Sequence, residues 1–113
     1  MAAASAAVNT FQTVTQTVLT SEVVVYTAPV GYTGVVLLAQ CTKMGSSTYT
    51  MTLQFRRDGT DVPLISEVPI PPNDTANLLS GKLVLETGDS LVTNGSNATN
   101  LKFLTSILET SNL

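Results

Sequence analysis

The chain has no histidine, no tryptophan and one cysteine among its 113 residues. Without histidine, neither an imidazole metal site nor a nucleophile activated through a Ser-His-Asp or Cys-His relay can be assembled. The single cysteine, Cys41, excludes an intrachain disulfide, and its place after Val35-Val36-Leu37-Leu38-Ala39 marks it as a small buried apolar residue. Aromatic residues are 5% of the chain, which leaves little for a carbohydrate-stacking platform. Charge is scarce as well. Asp, Glu, Lys and Arg together make up 12%, against about 25% in an ordinary soluble domain. The basic residues are Lys43, Arg56, Arg57, Lys82 and Lys102, scattered in a chain of net charge −3, so no stripe exists to neutralise phosphates and nucleic acid is not an expected partner. No segment has the apolar length of a membrane span. Residues 1–7 lack the basic residue and Leu-rich core of a secretory signal. The chain is therefore expected to be made and assembled inside a cell, with no membrane partner.

What the chain does have is apolar residues, 43% of the total, and a mean hydropathy of +0.28. Thr, Ser, Asn and Ala fill positions where Lys and Glu usually sit. A surface so poor in charge repels its neighbours weakly and tolerates being covered, which points to assembly with further copies or a larger particle. At this length one domain can bury a core of its own, without a disulfide or a metal.

Residues 1–10 are Ala-rich, uncharged and without a sustained period, and read as an N-terminal arm. Residues 11–113 read as one domain. Its dominant period is two. Val14 and Val18 alternate with threonines, and Glu22 to Thr27 is largely β-branched up to the break at Ala28-Pro29-Val30-Gly31. The run Val35 to Ala39 does not alternate, so a strand covered on both faces is expected there, by the domain core on one side and by a partner as the candidate cover of the other. Tyr49, Met51, Leu53 and Phe55 form one apolar row, and Asp58-Gly59 supplies the positive φ angles of a tight hairpin turn. The returning strand, Val62 to Val68, holds Pro63, which places it on an edge or starts it after that residue. Pro69 to Asp74 reads as a stiff connection. Short strands follow over 75–80, 81–86 and 90–93, and a last one over 101–110 is apolar on both faces. Phe55 and Phe103 are assigned to the core, with equal losses of about 3–5 kcal/mol expected on truncation to Ala. About eight short strands separated by turns and no helical stripe give an all-β antiparallel β-sandwich, jelly-roll-like, with an immunoglobulin-like arrangement as the second choice.

Chemistry could still come from paired carboxylates, and Asp58 with Asp61, or Glu86 with Asp89, are the candidates. Each pair lies at a turn, where Asp and Glu are ordinary residues. Asn73, Asn94 and Asn97 match the glycosylation pattern and also suit turns. No catalytic, cofactor-binding or metal-binding residue is assigned, and the chain is not read as an enzyme. The interface candidates are the apolar residues in excess of one face, Val35, Leu37, Leu38, Leu104 and Leu108, together with Arg56 and Arg57.

Several stretches resemble a family of small virion structural proteins of tailed bacteriophages, particularly those infecting cyanobacteria. They are Val25-Tyr26-Thr27-Ala28-Pro29, Val35 to Ala39, Arg57-Asp58-Gly59-Thr60 before Pro63-Leu64-Ile65, and Ile70-Pro71-Pro72. The most distinctive is Lys82-Leu83-Val84-Leu85-Glu86-Thr87-Gly88-Asp89-Ser90-Leu91, and Ile107-Leu108-Glu109-Thr110 closes the series. Together they span residues 12–110. At Cys41-Thr42-Lys43 the chain departs from the family, where an Asn-containing turn is more usual. The resemblance implies a multi-copy virion component, first a capsid decoration or cement protein that forms a homotrimer and binds the major capsid protein. A tail, neck or fibre-associated module bound to other virion proteins is the alternative. From another class, a host-surface adhesin would bind through loops 43–48 and 93–99.

Overall fold

The computed structural model describes residues 8–112, and these form nine strands and no helix. They are β1 (Asn9–Thr17), β2 (Val23–Thr27), β3 (Tyr32–Lys43), β4 (Tyr49–Arg57), β5 (Thr60–Ile70), β6 (Thr75–Asn77), β7 (Leu83–Leu85), β8 (Ser90–Gly95) and β9 (Leu101–Ser111). The arm assigned to residues 1–10 lies mostly outside the described residues, and Asn9 and Thr10 already belong to β1.

All pairings are antiparallel and nested about one turn. β4 folds onto β5 at Asp58-Gly59, with φ of 53° and 78°, the left-handed pair of a primed hairpin turn. Around that hairpin β3 pairs with β6 and β7, β2 with β8, and β1 with β9. The doubled ribbon winds into two sheets. One has the order β1-β9-β3-β6, with β7 also on β3, and the other the order β2-β8-β4-β5. This is a jelly-roll winding of an antiparallel sandwich. The immunoglobulin-like alternative places its first two strands side by side, whereas here they lie in different sheets.

Alternation explains the core. From the first sheet Val36, Ala39, Cys41, Leu101, Phe103 and Ile107 point inward, and from the second Met51, Leu53 and Leu91 meet them. Gly95 has no room for a side chain, because a Cβ there would lie 2.8 Å from Leu101 Cδ1 and 2.9 Å from Val18 Cγ1.

Two sequence expectations change. The run Val35 to Ala39 is a bulged strand, with a register shift between Val36 and Leu38. Gly34 and Val36 are buried before the shift, and Ala39, Cys41 and Lys43 after it, so one extra residue reverses which parity faces the core. Its other face is not covered by another layer among the described residues. The strand expected to end at Val68 continues through Pro69 to Ile70, which β5 tolerates because it is an edge strand paired only with β4.

Candidate assembly surface

The register of the first sheet decides which side chains share its outer face. Leu108 stands opposite Phe11 on one side and Val35 on the other, and Val35 stands opposite Val84. Phe11, Leu108, Val35 and Val84 therefore make one apolar row across four strands. Phe11 is 73% exposed and Val84 52%. The neighbouring row is Thr13, Ser106 and Leu38, and the next is Thr15, Leu104, Gln40 and Asn77. The far end of this face is polar: Lys102 Nζ donates to Thr17 Oγ1 at 3.1 Å, and the Thr42 and Thr75 hydroxyls pair at 2.7 Å.

Four of the interface candidates, Val35, Leu38, Leu104 and Leu108, thus come together on one surface. Leu37 is half-buried at the bulge. Phe11 and Val84 belong to the same row and were not singled out by sequence. Their alternation was visible, but their neighbours become known only once β1 is paired to β9 and β7 to β3.

Arg56 and Arg57 lie elsewhere and already have partners. Arg56 Nε donates to Asp61 Oδ1 at 2.5 Å, and its Nη2 donates to Glu22 Oε1 at 2.8 Å. Arg57 Nε and Nη2 grip both oxygens of Asp89, at 2.8 and 2.6 Å, and Nη2 also reaches Glu86 at 2.8 Å. Asp89 further accepts the Glu86 backbone N–H at 2.8 Å, so the arginine clasps the turn between β7 and β8. Hydrogen bonds from Arg56 and Arg57 hold the carboxyls of Asp61 and Asp89 below their usual range. Such groups stay ionised and have no proton to donate. Of the pairs considered as acid and base, Asp58 and Asp61 are engaged with Arg56 through Asp61, and Glu86 and Asp89 are both engaged with Arg57.

Three further buried groups are accounted for by packing. Tyr26 crosses between the sheets and donates to Glu109 at 2.5 Å, a carboxylate that also accepts from Gln12 at 3.1 Å. Burial pushes the Tyr26 phenol up, and the Glu109 bond and charge add to it. Its ring fills the space over Gly34, where a Cβ would come within 2.9 Å. Burial also pushes the Cys41 thiol up to about 11, so little nucleophilic thiolate exists near neutrality. Lys43 is 1% exposed at the end of β3, with its ammonium on the Met44 carbonyl and 4.8 Å from the Tyr49 ring centroid. Asn97 caps its own loop, accepting from Thr99 and Asn100 N–H groups at 2.9 and 2.8 Å, as its turn reading requires. Among the described residues no group of three or more His, Cys, Asp or Glu could hold a metal ion.

No protein-family model, curated protein or solved structure matches the chain.

Proposed function

We propose that the chain is a multi-copy structural component of a virus particle, a decoration or cement protein that covers the outer face of its first sheet against a neighbouring subunit. The observation that carries this is the row Phe11, Leu108, Val35 and Val84, exposed at its two ends and half-buried between them, with exposed Leu38 beside it. An apolar row of this kind, rimmed by threonines, suits a surface that is buried in use. Of the residues placed on that face, Lys102 alone is charged, whereas Glu22, Arg56 and Asp61 gather on the other sheet. Contact with a major capsid protein or a further copy therefore desolvates few charges. The sequence resemblance to phage virion proteins supplies the setting.

Binding of purified protein to empty heads that lack tails tests this reading. Leu108→Glu places a carboxylate in the centre of the row, at a half-buried position on the outer face of the sheet. Head binding is expected to fall by at least tenfold while the thermal midpoint stays within a few degrees. Labelling confined to the tail or neck, or unchanged binding by Leu108→Glu, overturns the assignment.

A further inference from the structure

Among the sheet edges of the described molecule, three carry obstacles to further pairing. β2 has five residues, a register break between Val24 and Tyr26, and Glu22 just before it. β5 holds Pro63 and Pro69, two register breaks, and Glu67 at a φ of 48°. On the far side of β3, β6 and β7 have three residues each. Shortness, bulges, proline and charge are the means by which sheet proteins discourage edge-to-edge association. β1 uses none of them. Its sequence NTFQTVTQT has no charge, proline or glycine, and it pairs with β9 through nine consecutive residues without a shift.

Strand alternation fixes which backbone groups of β1 are left over. The Val8 carbonyl accepts from Ser111 N–H at 3.1 Å, and Val18 N–H donates to the Leu101 carbonyl at 2.9 Å. Even-numbered residues therefore aim their N–H and C=O at β9. Asn9, Phe11, Thr13, Thr15 and Thr17 direct theirs away from it, the Thr17 carbonyl already accepting from Gln16 Nε2 at 3.0 Å.

From this we infer that β1 pairs antiparallel with β1 of a second copy across a two-fold axis, joining the two first sheets into one continuous sheet. Two features select a copy of the same chain. The five outward residues are spaced symmetrically about Thr13. A two-fold centred there sets Thr13 opposite Thr13, Phe11 opposite Thr15 and Asn9 opposite Thr17, and every outward N–H and C=O has a partner. The second feature is charge: two uncharged strands meet without repulsion, and a partner strand bearing Lys or Glu would find no counterion on β1. Antiparallel continuation also keeps both outer faces on the same side, so the apolar row of each copy runs on into the Thr15, Leu104 and Gln40 row of the other. The contact produces pairs rather than the three-fold ring that the resemblance implies. It rests on the self-assembly part of the proposed function and names the contact.

Sedimentation analysis and hydrogen exchange on the full chain test the pairing. The expected mass is that of two 11.9 kDa chains. The amides of Phe11, Thr13 and Thr15 should exchange at least tenfold more slowly in the concentrated sample than after dilution, which needs no variant. Thr13→Pro removes an N–H that β9 does not use, and Thr15→Lys adds a charge to the edge. Each should shift the mass to one chain with the thermal midpoint preserved. A three-chain mass, an oligomer unaffected by both variants, or a wild-type monomer that still binds empty heads overturns the inference and leaves the proposed function standing. A dimer that obeys both variants and ignores every virion part upholds the edge and rejects the virion reading.

Discussion

Phe103 and Phe55 contribute according to their depth rather than their type. Phe103 is 1% exposed and enclosed by both sheets, so Phe103→Ala should cost about 3–5 kcal/mol in urea unfolding. Phe55 is half-buried near the hairpin end, with the Arg57 guanidinium 5.2 Å from its ring centroid, and Phe55→Ala should cost about 2 kcal/mol. The equal losses expected from the sequence separate because alternation reveals the face of a side chain and not its distance from the end of the sandwich. Thr93 is the reverse case. Its hydroxyl is fully buried opposite Leu53 and has no hydrogen-bond partner among the described residues. Thr93→Val keeps the branched shape and removes the unsatisfied oxygen, so stability should rise by about 1 kcal/mol. A fall of that size would mean that the hydroxyl is bonded after all.

At the scale of elements, strands and turns were legible because period two and Gly, Asn and Pro punctuation are local properties. The Asp58-Gly59 hairpin and the apolar row Met51, Leu53 fall where the sequence places them. The bulge in β3 was not legible. A run such as Val35 to Ala39 has the same composition whether both faces are covered or one extra residue reverses the parity. The Arg57 clasp was equally hidden, since Arg57 and Asp89 are 32 residues apart, whereas Arg56 and Asp61 face each other across the local hairpin. The two clasps do fix a pH response. Asp61 and Asp89 have folded pKa values depressed below the ordinary ~3.9, so their stabilising bonds are complete above about pH 5 and are lost as pH falls through the lower folded values. With no histidine, nothing in the side-chain inventory titrates at its ordinary pKa between pH 5 and 8. The urea midpoint should be flat across that interval and drop below about pH 4. Asp89→Asn should lower the neutral-pH plateau and make the acid decline shallower; an unchanged decline would exclude the Arg57 clasp as its source.

For the whole molecule, the nested order of pairs follows from one long ribbon closing on itself at residues 58 and 59, with β1 and β9 as its outermost turn. That order leaves β1 last in its sheet and sets Leu108 between Phe11 and Val35. The low charge of the chain carries the expectation that some surface is covered; it could not locate the apolar row, because that depends on register between residues almost a hundred positions apart. The difference among the edges has a consequence for growth. A protomer with one usable ladder has a valence of one: when two have joined, the pair exposes only blocked rims, and no third chain can be added by the same bonds. Abundant, sparingly charged β-ribbon normally invites runaway fibre formation. With β1 paired as inferred above, the stoichiometry itself would end the reaction.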